Sequence, residues 1–400
     1  MKFNPFVILL IRFFELSADY VKTFAIPLLV FTLSNSISLS GLAFFLELLP
    51  RTFLSPIMGG LADRFNLRRQ LLFIDCARAA LALALLIFFT HNLYWIFIFS
   101  GMISLFSGYS FVAIETLSGK ALSHEKYSSY QARFQMIEPM SRVIGPALGA
   151  FLLNWLTLKQ LILIVLVLYL ISLTLRFTGL YENQKSLVLK KLNPFQDLMT
   201  GFKITFNNKT ILSLTLCGMS INFLFGILQS TMPALVTKSF ILPNKYFALP
   251  SIMAGGAAFL GIFIVPELNK RLSVNFVGKT GLLMVFFSLF LLSNTISFYL
   301  FCIGYSALVL GMSLYTVFFR SKRLEEVPKE DYGKVVGVSV FLLFLALPLS
   351  GIITYAVGNI FSPAQLILFA SVVCVSFNIL CYLLMQATNG KNYAGYFWPF

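Results

Sequence analysis

The chain of 400 residues is 58% hydrophobic, only 11% charged, carries 44 Phe, and has a formal net charge of +15. So little charge excludes an ordinary soluble globular protein of this size. Apolar runs of about 20 residues recur along the whole length and indicate a polytopic membrane protein. The excess of Lys and Arg lies mostly between those runs, with no basic domain apart from them, so nucleic acid is not a partner. All five cysteines (Cys76, Cys217, Cys302, Cys374, Cys381) fall inside apolar runs without a CxxC pair. Neither a disulfide framework nor a zinc site follows.

The runs predict an all-α membrane protein with twelve helices, over 5–31, 39–61, 70–90, 94–118, 129–153, 160–180, 210–236, 246–266, 275–296, 298–319, 333–356 and 363–386. The first run is broken by Arg12, Glu15, Asp19 and Lys22 and does not read as a cleavable signal. Lys and Arg concentrate in alternate loops: Arg64 to Arg69, Lys120 and Lys126, Lys185 to Lys209, Lys270 and Arg271, and Arg320 to Lys329. The opposite loops hold only Lys159, Lys238 and Lys245. This asymmetry predicts that both termini are cytoplasmic. The basic segment 181–209, with Pro194, divides the chain near its middle. The expected organisation is an N-terminal six-helix bundle (1–180), a cytoplasmic linker (181–209), a C-terminal bundle (210–387) and a cytoplasmic tail (388–400).

The halves repeat. Gly145-Pro146-Ala147-Leu148-Gly149 aligns with Leu347-Pro348-Leu349-Ser350-Gly351, and Gly59, Arg68 and Arg69 align with Gly261, Lys270 and Arg271, all 202 residues apart. Internal repeats of this kind build many transporters, with the substrate site near the midplane.

Between the second and third runs lies Gly59-Gly60-Leu61-Ala62-Asp63-Arg64-Phe65-Asn66-Leu67-Arg68-Arg69. It reads as a tight turn joining two membrane helices. It resembles the loop signature of the major facilitator superfamily, G-x-L-a-D-r-x-G-r-[RK], through Gly59, Leu61, Asp63 and Arg64. Asn66 stands at the usual glycine, Leu67 at the next basic position, and Arg68-Arg69 follow one residue late. The resemblance implies two pseudo-symmetric six-helix bundles and a gating role for this turn, with Asp63 closing against the helix start near Gly333. Asp75 and Arg78 follow just inside the third run.

Twelve charged residues fall inside predicted helices of the first half, set deeper than Arg176, Lys279 and Lys334. The latter three lie within about a turn of a cytoplasmic end and are expected to snorkel. The bases are Arg12, Lys22, Arg51, Arg78, Arg133 and Arg142; the acids are Glu15, Asp19, Glu47, Asp75, Glu115 and Glu138. A deep charge costs at least ~2.5 kcal/mol on insertion scales, so this many need partners or a wet cavity. Arg12, Glu15, Asp19 and Lys22 share an arc of about 80° on one helix. Glu47–Arg51, Asp75–Arg78 and Glu138–Arg142 have the spacing of intrahelical pairs. Two readings stay open: internal salt bridges holding the bundle, or a protonatable site, since a carboxylate in a low-dielectric cavity can exchange a proton near neutral pH. Asp19 and Glu15 lead by depth, then Glu138.

Gly145-Pro146-x-x-Gly149 predicts a kinked, closely packed fifth helix. It also resembles the superfamily's helix-5 antiporter signature. Phe24-Ala25-Ile26-Pro27-Leu28-Leu29-Val30-Phe31, the loop signature and Asp75-x-x-Arg78-Ala79 together look most like the macrolide-efflux and enterobactin-exporter group. That resemblance implies proton-coupled efflux of a small siderophore- or drug-like compound across the inner membrane by a monomer. Asp19 is also similar in position to a metal-site aspartate of ferroportin-type exporters, which leaves divalent-metal export as the alternative, although the helices hold no paired Cys/His ligands. A non-transporting receptor is a further alternative. In the second half, Asn222, Gln229 and Asn378 are the candidate substrate-lining residues. No nucleophile–base set, P-loop, cofactor motif or metal-ligand spacing appears, so neither an enzyme nor an ATP-driven pump is expected. The implied partners are a small-molecule substrate, protons and the lipid bilayer.

Overall fold

The computed structural model describes residues 5–64, 67–89, 92–121, 137, 141, 144–153, 155–179, 194–271, 273–293, 297–328 and 331–386. Among them are helices α1 (Pro5–Ser34), α2 (Ile37–Arg64), α3 (Leu67–Phe88), α4 (Leu93–Ala121), α5 (144–152), α6 (Leu158–Gly179), α7 (Pro194–Asn207) and α8 (Lys209–Ala234). They continue with α9 (Ala248–Arg271), α10 (Val274–Ser293), α11 (Phe298–Glu326), α12 (Tyr332–Val357) and α13 (Pro363–Gln386). Nine stretches of the described residues are long and apolar enough to cross a membrane.

Local chemistry sets the helix starts. Pro stands at the first position of α1, α7 and α13, where its missing N–H is no loss. The starts of α6 and α13 carry matching capping boxes. Thr157 N donates to Gln160 Oε1 at 2.8 Å, and Ser362 N to Gln365 Oε1 at 2.9 Å. Gln160 N and Gln365 N return the bond to the Thr157 and Ser362 hydroxyls. The sixth membrane helix and the last thus begin alike, as a repeated half requires.

Several boundaries differ from the sequence reading, among them that of α9, which runs on to Arg271 and makes Lys270 and Arg271 helical. The signature Gly59–Arg69 is mostly helix: α2 continues to Arg64 and α3 begins at Leu67. Arg320 to Glu326 are the last turns of α11 rather than a loop. Within the basic linker, Pro194–Asn207 is the amphipathic helix α7, whose Gly201 is packed so closely on α12 that an added Cβ would lie 2.5 Å from Lys334 O. Basic residues there had masked a helix with one apolar face.

The chain forms two compact units, residues 1–35 with 46–194, and 36–45 with 195–400. In the first, α1 packs on α6 and α4, and α3 on α4 and α6. Ala18, Val21, Ala79, Ala82, Ile103, Val165 and Tyr169 form a core there. Gly145 of α5 sits against α1, where an added Cβ would lie 2.5 Å from Tyr20 Cβ. In the second, α8 packs on α12 and α13, and α11 on α10 and α9. Ser40, from the first turns of α2, donates to Ser230 O at 3.0 Å within this unit.

Candidate functional site

The first unit buries four bases and four acids among its described residues: Arg12, Lys22, Arg78 and Arg176 with Glu15, Asp19, Glu47 and Asp75. All eight side chains come from α1, α2, α3 and α6. Formal charge balances only when every acid is ionised.

The eight sort into three groups. The first is a dense network. Glu15 on α1 accepts from Arg78 Nη2 at 2.7 Å and from Arg176 Nη2, with Arg12 Nη1 3.6 Å from its other oxygen. Ser110 Oγ adds a bond at 3.1 Å. Asp75 on α3 accepts from Arg78 Nη2 and Arg176 Nε. Two arginines from α3 and α6 therefore hold both carboxylates, and removing either leaves buried charge uncompensated. Two rings cover the network: Arg12 lies 4.6 Å from the Phe111 centroid and Arg78 5.1 Å from that of Tyr169.

The second group is a pair, Lys22 of α1 with Glu47 of α2. Thr23 Oγ1 donates to the same Glu47 oxygen at 3.2 Å, and Lys22 Nζ reaches Ser100 O at 3.4 Å. Glu47 Oε2 is buried with no hydrogen bond among the described residues.

The third is Asp19, whose hydrogen-bond donors among the described residues are two hydroxyls. Its Oδ1 accepts from Ser107 Oγ and Tyr169 Oη, each at 2.6 Å. No salt bridge to it occurs among the described residues. One helix turn separates Asp19 from Glu15, yet Glu15 is bonded directly to arginines and Asp19 to hydroxyls.

The predicted residues fall out unevenly. Glu15, Asp75 and Arg78 come together, and the Asp75–Arg78 spacing forms its pair. Glu47 takes Lys22 from α1, not Arg51 on its own helix; the Arg51 stem instead packs on α4, 3.1 Å from where a Gly108 Cβ would stand. Arg176 does not snorkel: it is 1% exposed and central to the network. Glu138, Arg142 and Arg133 lie outside the described residues. So do the side chains of Asp63, Arg64 and Glu115; Gly59 falls within α2, and Arg68 and Arg69 begin α3.

The sequence reading missed Ser107, Ser110, Tyr169 and Ser172. A signal existed. Ser100, Ser104, Ser107 and Ser110 recur at spacings of four, three and three, and all four are buried. Tyr169, Ser172 and Arg176 follow the same rule on α6, with Ser172 Oγ 3.4 Å from Glu15 Oε1.

In the second unit, Asn222 and Gln229 lie two turns apart on α8 and are half-buried. Asn222 Nδ2 donates to Leu343 O at 3.0 Å, and Gln229 Nε2 to Tyr305 Oη at 3.0 Å. Phe225, between them on the same face, stacks on Tyr305 with centroids 6.1 Å apart. Asn378 sits differently: it is 3% exposed, and its amide binds Cys217 Sγ at 2.8 Å and Cys374 O at 2.7 Å. The Cys217 bond and one from Asn378 Nδ2 to Ser220 Oγ at 3.3 Å join α13 to α8, while the Cys374 bond lies within α13. Among the described residues no group of three or more His, Cys, Asp or Glu side chains is placed to hold a metal ion.

A buried ionic network in one half, a repeated helix plan and the Gly59–Arg69 motif all fit one family, and the family model for the Major Facilitator Superfamily matches residues 8–351. The chain belongs to the major facilitator superfamily. Its fold is that of the family, an integral membrane protein of twelve helices in two pseudo-symmetric six-helix bundles. It is 25% identical over 280 residues to YkuC of Bacillus subtilis (strain 168), an MFS-type transporter; the match covers 66% of this chain and 64% of YkuC. It is 25% identical over 250 residues to the multi-drug resistance efflux pump PmrA homolog of Lactococcus lactis subsp. lactis (strain IL1403), covering 60% of this chain and 56% of that one. The match thus spans less than two thirds of either relative's length. Among solved structures, the nucleoside transporter NupG superposes with a TM-score of 0.74 at 14% identity, covering 96% of this chain and all of that one (100%). A bacterial homologue of the iron transporter ferroportin, inward-facing, gives 0.70 at 16% identity over 97% and 98%. At such identity these likenesses concern the superfamily fold.

Proposed function

We propose that this superfamily member is a proton-coupled exporter of a small organic compound, siderophore- or drug-like, and that Asp19 carries the proton. One observation bears the reading: Asp19 is the buried acid bonded to neutral hydroxyls, whereas Glu15, Asp75 and Glu47 are each held by a cation. A guanidinium or ammonium partner opposes protonation, and a hydroxyl opposes it far less. Protonating Asp19 would also leave the buried set of four bases and four acids with one excess positive charge. Coupling then requires that the two conformations of the transporter accommodate that charge differently. Efflux as the direction draws on the PmrA homologue and on the helix-5 segment Gly145-Pro146-x-x-Gly149.

The remaining assignments follow from this reading. Asn222, Phe225, Gln229 and Tyr305 offer an amide and aromatic surface for the body of the substrate, while Asn378 serves helix packing. Asp63 acts at the cytoplasmic gate, where the positive end of a helix attracts a carboxylate. The protein works as a monomer in the inner membrane with both termini in the cytoplasm, in keeping with the basic alternate loops. No observation favours divalent-metal export.

Everted vesicles containing the protein, a pH-sensitive dye and a panel of substrates test the function. Siderophore-like or amphipathic cationic compounds should collapse the dye signal, and Mn or Co should not. A response confined to the metals would reverse the assignment.

A further inference from the structure

The second unit buries one charged side chain among its described residues, and the transport reading gives it no task. Arg323, in the last turns of α11, is 5% exposed. Its guanidinium carbon lies 5.1 Å from the Phe319 ring centroid and 5.7 Å from that of Tyr332. Nε and Nη1 have no acceptor among the described residues. Nearby acids are engaged elsewhere: Glu325 with Lys322 at 2.6 Å, and Asp331 with Lys334 at 2.8 Å.

A second polar group without a partner among the described residues, a hydroxyl, lies on α7. Thr205 on α7 is fully buried, and its Oγ1 also lacks a partner among the described residues. It stands one turn beyond Gly201, on the face that α7 turns to α12. Ile204 and Tyr332 both pack on the small core of Ile211, Val327 and Val335. Thr205 follows Ile204 in α7, and the Arg323 guanidinium faces the Tyr332 ring, so each is next to a residue of this core.

A buried guanidinium without a counter-charge is expensive, and aromatic faces offset only part of that cost. We propose that the junction of α7, α11 and α12 is an anion site that takes a phosphate group, with Arg323 as its cation and Thr205 Oγ1 as a further donor. Phosphate suits donors that point in different directions, because it offers several acceptor oxygens and full negative charge. The place suits it too. Arg323 lies in the last turns of the apolar helix α11, where a membrane-spanning helix approaches the headgroups, and the sequence around the junction adds Lys203, Lys209, Arg320 and Lys322. The phosphate has two possible sources, an anionic lipid headgroup or a soluble phosphate. Occupancy would add a link between α7 and α11 within the second unit. This site is independent of Asp19 and of the substrate.

The test uses the full purified chain. Native mass spectrometry measures retention of phosphatidylglycerol against phosphatidylcholine, and thermal unfolding measures stabilisation by inorganic phosphate. Arg323→Gln should weaken the bound species by about tenfold or more, and Thr205→Val by about threefold, with phosphatidylcholine unaffected. Loss confined to phosphatidylglycerol identifies the lipid as the source; loss of phosphate stabilisation identifies the soluble anion. Should Arg323→Gln not fold, Arg323→Lys keeps the charge without the planar fork and should lose affinity with Thr205→Val. Equal binding of both probes by the wild type and every folded variant, or no binding of either, would overturn the site.

Discussion

Tyr169 donates its phenolic hydrogen to Asp19 Oδ1 at 2.6 Å while its ring lies 5.1 Å from the Arg78 guanidinium carbon. One side chain on α6 thus touches both the acid held by hydroxyls and the arginine that clamps Glu15 and Asp75. On the proposed reading, protonation of Asp19 would change the acceptor that Tyr169 faces, and the ring contact with Arg78 would connect that change to the ion network. Tyr169→Phe keeps the ring and removes the donor. Gradient-driven transport should fall by about tenfold, a change of ~1.4 kcal/mol, with substrate binding little altered. Parallel transport and binding assays on the purified variant check this; an equal loss in both would assign Tyr169 to the substrate instead.

Arg176 was expected to reach the interface, and its burial beside Asp75 and Glu15 makes a different prediction. Arg176→Gln should cost about 3–5 kcal/mol, the usual price of breaking a buried ion pair from one side. Thermal unfolding in detergent reads the loss. The double variant Arg176→Gln with Asp75→Asn should regain part of it. A snorkelling arginine would shift stability by no more than about 0.5 kcal/mol.

Glu47 offers a test of partner choice. Because it pairs with Lys22 across two helices, a double-mutant cycle of Lys22→Met and Glu47→Gln should give a coupling of at least about 1 kcal/mol. The same cycle with Arg51→Gln should be additive within about 0.5 kcal/mol. Coupling to Arg51 and not to Lys22 would restore the intrahelical pair that spacing alone suggested.

These cases show where the sequence was readable and where it was not. The helices were legible because lipid demands long apolar runs, and the polar face of α1 because Arg12, Glu15, Asp19 and Lys22 share an arc that cannot meet lipid. Asp75–Arg78 was legible because both partners sit on one helix. Arg176–Asp75 and Lys22–Glu47 were not, since partners on different helices are set by packing rather than by spacing. Arg323 and the helix α7 were hidden by their basic neighbours, which look like ordinary loop charge. Ser107 and Tyr169 were passed over because a single hydroxyl in an apolar helix has the appearance of packing, although the serine period along α4 marked a polar face.

Gln229 and Tyr305, bonded at 3.0 Å, make a prediction for the other half. Gln229→Ala should weaken substrate binding by about tenfold, ~1.4 kcal/mol, while the dye response to substrate that still binds persists. Quenching of tryptophan fluorescence on titration supplies the binding arm. Unchanged binding by both Gln229→Ala and Asn222→Ala would remove α8 from the substrate surface.

The most direct test of proton coupling is uptake into proteoliposomes under an imposed pH gradient by the wild type and Asp19→Asn. The variant keeps the size of the side chain and its ability to accept from Ser107 and Tyr169, but it cannot take up a proton. Gradient-driven accumulation should vanish, with substrate affinity held within about tenfold and exchange without a gradient retained. Full gradient-driven accumulation by Asp19→Asn would contradict the account and place the carrier elsewhere.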